Sequence, residues 1–491
     1  MSEITIPPQE RLDQLEKHYA DRVTDFRQRL AELGLDKVLV VLLDIGKNAH
    51  WVTAASGAGV EWVRPHRLPS SQVGLSQFIQ MTDSLIAEHQ PALTLLGHEP
   101  TGVYHEPWAR ALMDYYKAPL ADQTMSYTFF NPYQVKLARQ QTHLRHRKSD
   151  PLDLAAMFDL SLRGLGQAAF LPTGVELLVR QEVGFIRAQS RLLRRLQRQL
   201  WQQLDRLWPG AAVNVAQFKR AHPGLPAPTP IVQTRPFERD TLRVLLLHYP
   251  NPYHLKALSD DELLALFRQH MGRCGPATLK TLRTWAKNAV LLPKNIAEPL
   301  AEQLQRLFNQ YLTVQNLVEE AHGRLIPLIP HTPAHHIVAI PGLGDYDAAR
   351  YYAGLGSIGR FHRSAEVWAF MGFDPICDGS GDKPERIGHL SKHGDPNFRD
   401  ALYLMSYRVA QNYAPVGLTF ANAFLRGKCE VEATLHAAHR VNRICFHLIK
   451  NDEPFQDQST PKLEAEYTRR WQLFKAEKKK RKSRRKRGNR R

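Results

Sequence analysis

The sequence has little cysteine, fewer acids than bases, and no long apolar run. Its four cysteines, Cys274, Cys377, Cys429 and Cys445, lie far apart and lack CxxC spacing. That excludes a disulfide framework and a cysteine-built zinc site, and reads as the reduced thiols of a cytosolic protein. No apolar stretch reaches the roughly 18 residues that a membrane-spanning helix needs, so no membrane partner is expected. The polar, acidic start, MSEITIPPQERLDQ, is not expected to act as a signal peptide. His331, His335 and His336 cluster without carboxylate or cysteine company, so they receive no metal role. Asp and Glu number 48 against 66 Lys and Arg, a formal net charge of +18. An excess of this sign points to nucleic acid before an anionic membrane surface. With 491 residues, 43% of them hydrophobic, the chain can form two or three domains with real cores.

The most informative stretch is 131–157, NPYQVKLARQQTHLRHRKSDPLDLAAM. It is expected to begin extended, to cross a basic segment (Lys136, Arg139, Arg145, His146, Arg147, Lys148), and to close on Asp150 and Asp153. Asp150 suits an N-cap and Pro151 the first helical residue. Residues three apart on a helix have Cβ atoms roughly 5–6 Å apart, and two acids that close repel unless a cation lies between them. Upstream, a helix is expected over 9–33. The apolar run at 37–43 reads as a buried strand that delivers Asp44 just before Gly46 and Lys47. Strands follow at 50–55 and 60–63, a helix near 75–89, a strand at 92–96 that delivers Glu99, and a helix near 107–116. Three strands, helix, strand, helix, short strand, helix make a mixed α/β sheet. Strand ends and a helix start can therefore gather Asp44, Glu99, Asp150 and Asp153. Clustered carboxylates suit Mg2+ or Mn2+, hard cations with oxygen ligands. Two such ions about 3.5–4 Å apart can clamp both oxygens of a phosphodiester exchange. Any one of these acids, alone, reads more readily as a solvated surface residue, except Asp44, which follows a buried strand and precedes a glycine.

Further on, 174–208 reads as one long helix. Its apolar stripe is Ile186, Leu193, Leu196, Leu200, Leu204 and Leu207, and Arg187, Arg191, Arg194, Arg195 and Arg198 crowd the rest. Nucleic-acid contact is the favoured use of that face, a merely solvated one the alternative. Residues 211–240 read as a linker, with helices near 259–271 and 275–289. Leu300, Leu304, Leu307, Tyr311, Val314, Val318, Ala321 and Leu325 keep 4–3 spacing, a coiled-coil seam that could pair with the 174–208 helix or with a second chain. In IVAIPGLGDYDAARYYAGLG (337–356), the PGLG turn before a helix has the form of a helix-hairpin-helix, with amides at Gly342 and Gly344 turned to a phosphate backbone; a glycine turn without a ligand is the alternative. After a helix at 365–371, a glycine-rich passage holds Ser380 in GSG, then Lys383, Arg386, Ser391, Lys392, His393 and Arg399. An open hydroxyl among cations suits serine attack on a phosphodiester, or a plain phosphate-binding loop. The basic tail, 475–491, is expected to stay disordered and to hold nucleic acid non-specifically.

DIGK at 44–47, EPTGVY at 99–104, NPYQVK at 131–136 and KSDPLDLA at 148–155, in this order, resemble the DEDD transposases of the insertion-sequence 110 family. The resemblance covers roughly residues 38–200 and 335–425. It implies a RuvC-like, ribonuclease-H-fold nuclease domain whose Mg2+ site is Asp44, Glu99, Asp150 and Asp153. It also implies a C-terminal transposase domain in which Ser380 is the nucleophile, with Ser391 as runner-up. Asp395 departs from the family, which tends to have asparagine after that glycine, and is expected to tune the loop. Candidate nucleic-acid contacts are Lys47, Arg145, Arg147, Lys148, Arg187, Arg191, Arg194, Arg195, Gly342, Gly344, Lys383, Arg386, Lys392 and Arg399.

The implied activity is site-specific recombination through a phosphoserine intermediate and a Holliday-junction-like stage. The serine of one subunit would join the tetrad of another. A structured bridge RNA would pair with donor and target DNA, and the working form would be a tetramer of two dimers in a prokaryotic cytoplasm, at the nucleoid. The expected segments are an N-terminal helix (1–36), the nuclease domain (37–172), a helical and coiled-coil region (173–330), the serine transposase domain (331–425) and a C-terminal extension (426–491). The alternatives are a metal-dependent junction endonuclease that uses water, and a basic RNA-binding scaffold without activity.

Overall fold

Residues 38–43 are Val, Leu, Val, Val, Leu and Leu, and all six are buried. An unbroken apolar run of this kind suits a strand covered on both faces. In the computed structural model, which describes residues 26–100, 102–142, 149–271, 275–378 and 386–488, this run is β1 (Val38–Ile45). The chain divides into two units, Met1–Pro172 and Thr173–Arg491.

In the first unit, β1 pairs antiparallel with β2 (Ala49–Ser56), and β2 pairs antiparallel with β3 (Glu61–Pro69). On its other side β1 pairs parallel with β4 (Leu93–His98), and β4 pairs parallel with β5 (Met125–Phe129). The two-residue β6 (Gln167–Ala168) closes that edge antiparallel, so the six-stranded order is β3-β2-β1-β4-β5-β6. Side chains alternate along β1. Leu39, Val41, Leu43 and Ile45 enter a core with Phe78 of α1 (Gln72–His89) and Trp108 of α2 (His105–Tyr115). Val38, Val40 and Leu42 enter the opposite core, with Val135 of α3 (Pro132–Thr142) and Leu154 and Met157 of α4 (Asp150–Leu162). Residues 26–33 are helical and end at Gly34, whose φ is 82°; the earlier part of the expected helix lies outside the described residues.

Two local expectations change. The chain does not run extended at 131: the Asn131 side chain accepts from the Tyr133 amide at 2.9 Å and α3 opens at Pro132. The extended piece is β5, just before it. At α4 the N-cap is Ser149, with extended backbone (φ −154°, ψ 148°), and Asp150 is already helical. Ser149 takes the cap because its carbonyl accepts from the Asp153 amide at 3.1 Å.

In the second unit, α5 (Gly174–Leu207) and α6 (Lys294–Leu325) pack antiparallel. Val179 and Val183 share a core with Ala321 and Leu325. Leu200 and Leu204, near the other end, share one with Leu304 and Phe308. Arg324 and Glu182 pair across them at 2.9 Å. The 4–3 repeat thus packs on the basic helix of its own chain. The stretch read as a linker holds a helix at Val215–Ala221 and a strand-like bridge from Ala212 to Val232. Helices at Asp240–His248 and Pro252–Ala257 were not evident in the sequence. Beyond α6, the core of Val179 and Val183 continues into α7 (Asp345–Leu355), α8 (Pro396–Asn412), α9 (Ala414–Leu425) and α10 (Glu430–Asn451). A two-stranded hairpin, β7 (Pro375–Asp378) and β8 (Arg386–Leu390), precedes α8.

The C-terminal tail departs from expectation. It is helical as α11 (Pro461–Gly488). Trp471 and Phe474 pack against Phe420 of α9, which anchors the helix. Glu466 pairs with Arg470, and Glu477 with Arg481, one turn apart. The Arg481 guanidinium lies 4.2 Å from the Phe424 ring centre and donates to the Phe424 carbonyl at 3.0 Å. A basic run that could not fold alone continues a helix already docked. Among the described residues, no helix is long and apolar enough to cross a membrane.

The α5–α6 pairing can be checked at Leu304, which is fully buried. Leu304→Ala is expected to cost about 2–5 kcal/mol, read as a lowered urea midpoint by the fluorescence of Trp208 and Trp285, which stack at 5.0 Å in the same core. A midpoint equal to wild type would mean that these helices do not pack here.

Candidate active site

The pairing of β1 with β4 sets the site. Its register runs from Val38 opposite Leu93 to Leu43 opposite His98. One residue further, Asp44 comes opposite Glu99. By the alternation along β1, Asp44 falls on the Val38, Val40 and Leu42 side, the side covered by α3 and α4. Asp150 and Asp153 lie on the first turn of α4, where the positive end of the helix dipole favours carboxylates. Asp44, Glu99, Asp150 and Asp153 accordingly line one cavity of about 450 Å³.

The same cavity contains cations. Arg139 of α3 is ion-paired with Asp153, and both side chains are almost buried, at 12% and 9% exposure. Lys136, one turn earlier, also lines it. Across the sheet, Asp44 pairs in register with Trp51, and Trp51 with Arg67, so the three share a face. The Arg67 guanidinium lies 4.8 Å from the Trp51 ring centre. Sequence reading missed Trp51 and Arg67. The β1–β2 turn was a signal for Trp51, found by counting back along the strands once the turn's length is known; Arg67 needs the irregular β2–β3 register as well. Sequence reading placed Lys136 and Arg139 in a basic segment without linking Arg139 to Asp153.

The donor set is the chemistry that a hard divalent cation requires. Among the described residues, no three acidic, histidine or cysteine groups stand close enough as arranged to hold an ion. Arg139 holds, in this arrangement, the positive charge beside the buried Asp153 and the half-buried acids near it.

On the opposite face of the sheet lies a histidine group that the sequence did not reveal. His98, fully buried just before Glu99, contacts the Tyr127 hydroxyl through Nδ1 at 2.9 Å. Burial, then the nearby His105 and His50, push its pKa down to about 3. Burial likewise lowers His50, whose Nδ1 accepts from the Gly46 amide at 3.2 Å. These rings sit neutral in the first unit's core.

The other candidates are placed as follows. Lys47 is exposed beyond the end of β1 and does not line the cavity. Arg145, Arg147, Lys148, Ser380 and Lys383 lie outside the described residues, and Arg386 is described only in the backbone of β8. Ser391 donates its hydroxyl to Asp374 at 2.6 Å, and its amide to the Asp374 carbonyl at 2.8 Å. Arg399 spends its guanidinium on the carbonyls of Met371, at 2.7 Å, and Gly394, at 3.4 Å, so it staples the loop. Lys392 is exposed, with φ 56°. In the PGLG turn, Gly342 has φ 92°. The Leu343 amide donates to the Ile340 carbonyl at 3.1 Å and the Gly344 amide to Asp347 at 3.4 Å. Of the two amides expected to face a phosphate, that of Gly344 is thus engaged inside the fold. Arg187, Arg191, Arg194 and Arg195 all lie on α5.

Two family models match the chain. One, described as a transposase of the DEDD IS110 type, matches residues 41–209. The other, described as the transposase IS116/IS110/IS902 family, matches residues 334–420. A protein of Coxiella burnetii named transposase for insertion sequence element IS1111A is 39% identical over 66 residues, which are 13% of this chain and 18% of that relative. The match therefore spans less than a fifth of the curated relative's length.

Two outcomes test this geometry. Arg139→Gln leaves Asp153 buried beside other acids, and is expected to cost about 3 kcal/mol in chelator, with Mg2+ restoring more stability than it adds to wild type. Equal melting temperatures with and without Mg2+ in the variant would refute this. The second concerns pH. The folded pKa of His98 lies below its unfolded value near 6.5, so the unfolded state binds the extra proton. Stability is full above about pH 6.5 and falls as pH drops toward 3, by up to about 1.4 kcal/mol per unit. In urea titrations between pH 7 and 5, His98→Gln should give a flatter profile than wild type.

Proposed function

Because the chain belongs, by both matched regions, to the insertion-sequence 110 family of transposases, we propose that it is the recombinase of an insertion sequence, cutting and rejoining DNA. The observation that carries the reading is the convergence of Asp44, Glu99, Asp150 and Asp153 on one cavity. Support also comes from the sheet. An order of 3-2-1-4-5, with β1 antiparallel to β2 and parallel to β4, is the arrangement we read as ribonuclease-H-like.

Asp44 and Glu99, fixed at strand ends, and Asp150 and Asp153, on a helix start, are the residues that would hold Mg2+, or Mn2+ in its place. Such an ion, when bound, offsets charge on the reacting phosphate oxygens. Lys136 and Arg67 line the cavity and would hold the strand's phosphates there. Ser380 is the proposed nucleophile. Its oxygen forms a new bond to phosphorus, the strand's own phosphorus–oxygen bond breaks, the departing sugar oxygen takes a proton, and the serine proton passes to a base. Attack by a second strand's hydroxyl reverses the sequence and frees the serine. Ser391, the runner-up, is supported by the Asp374 carboxylate at 2.6 Å. The tetrad of one subunit working with the serine of another, a bridge RNA pairing with donor and target, and a tetramer of two dimers complete the proposal. They rest on the family resemblance and on the net charge of +18.

A second reading is a metal-dependent junction endonuclease with water as nucleophile. It is favoured by one observation: a single unit supplies all four acids.

The full chain, its RNA, Mg2+ and labelled donor and target DNA are expected to give a covalent protein–DNA adduct on a denaturing gel. Ser380→Ala and Asp44→Asn should each abolish it. An adduct that survives Ser380→Ala moves the nucleophile to Ser391. Cleaved DNA without adduct in wild type would replace the recombinase mechanism with the water-using one.

A further inference from the structure

On α5, Arg180, Arg187, Arg191 and Arg194 keep to one helix face, by spacings of 7, 4 and 3 residues. That face is not simply turned to water. Arg180 and Arg187 line a cleft of about 100 Å³ with Gly184, with Tyr346 and Arg350 of α7, and with Asn397 at the start of α8. Arg191 donates to the Asn397 side chain at 2.8 Å. Arg350 is held in place: it pairs with Asp400 at 2.8 Å, with 14% of its side chain exposed, and lies 5.8 Å from the Tyr346 ring centre. The cleft's one acid, Asp395, is engaged by the amide and side-chain nitrogens of Asn397, each at 2.8 Å. Gly184 provides the gap, since a Cβ there would meet nothing within 4 Å.

We propose that this cleft seats one backbone phosphate of the DNA strand on which the serine domain acts. Three features support it. Its volume falls below the roughly 300 Å³ of pockets that enclose whole small ligands, and suits a single tetrahedral anion. Guanidinium forks from two helices match phosphate oxygens bidentately. Asn397 and Asp395 close the passage that begins at Gly372 and contains both Ser380 and Ser391, so the seat belongs to the same chain segment as the proposed nucleophile. DNA rather than RNA is assigned on that last ground, and to that extent the proposal rests on the recombinase reading. Arg180, Tyr346, Arg350 and Asn397 gain a role that the sequence did not assign them.

The test measures binding of the full chain to labelled duplex DNA, and to its RNA, over a range of salt. Arg187→Gln and Gly184→Glu are compared with Arg306→Gln, an exposed charge change on α6. Both cleft variants are expected to bind DNA about tenfold more weakly near 0.15 M salt, and Arg187→Gln to show a log–log salt slope shallower by about one. The Arg306 variant should match wild type. Gly184→Glu keeps every arginine and fills only open space, so it reports even if Arg187→Gln unfolds. DNA affinity equal to the control in both cleft variants would overturn the seat. Loss of RNA affinity with DNA affinity kept would overturn the DNA assignment. The adduct assay is independent: a wild type without adduct but with these DNA losses would sink the recombinase reading and leave the phosphate seat standing.

Discussion

The parallel pairing of β1 with β4 is the constraint on which the first unit's chemistry depends. It brings Asp44 and Glu99 to the same end of adjacent strands. The two-residue period of side chains then decides which face they share. A slip of one residue would turn Asp44 to the side of Phe78 and Trp108, away from Asp150 and Asp153. The apolar run Val38–Leu43 prevents that slip. Its alternate residues fill two different cores, and each has the shape of its own helices. The strand that carries Asp44 is thus held in register by packing.

Bringing carboxylates together carries a cost that the fold must offset. Arg139 does so for Asp153 from a position where little of either side chain meets water. The pairing explains how α3 and α4 can lie side by side beneath a strand end that carries a third acid. Whatever neutralises Asp153 from outside would free the Arg139 guanidinium within the cavity. His50 and His98, kept neutral by burial, add no charge to this balance at neutral pH.

Much of this was legible in the residues, because each signal was local. The strand at 38–45 showed as an apolar run, the helix at Asp150–Leu162 through its Ser-Asp-Pro start, and the 4–3 repeat of α6 as a seam. What was not legible depends on contacts between distant residues. Nothing near Arg67 says that it faces Asp44 across Trp51, since that follows from two registers. The start of α3 was misread because Asn131-Pro132 fits an extended segment and a capped helix equally well. The tail was misread as disordered because its composition was judged alone. Trp471 and Phe474, upstream of the charges, had already fixed the helix to α9. In the serine passage Arg399 looked like a free cation, and only the fold shows it holding the carbonyls of Met371 and Gly394.

Four acids in one cavity weaken its pull on the phosphodiester on which it would act, so Lys136 and Arg67 beside them need help from elsewhere on the chain. The distribution of charge fits that requirement. Four acids concentrate in a cavity of the first unit, while the excess of Lys and Arg over Asp and Glu is carried in rows such as that of α5. Such a row attracts any nucleic acid, and solvated arginines give affinity without position. Position needs cations whose orientation is fixed by neighbours. Arg350, held by Asp400 and Tyr346, and Arg191, held by Asn397, meet that condition. Arg194, Arg195 and Arg198 do not line the cleft, and Arg191 meets it only through Asn397. The arginines of α5 therefore divide into those that draw a strand in and those that fix a phosphate, and the division follows helix geometry: only the residues on the Gly184 side reach α7 and α8.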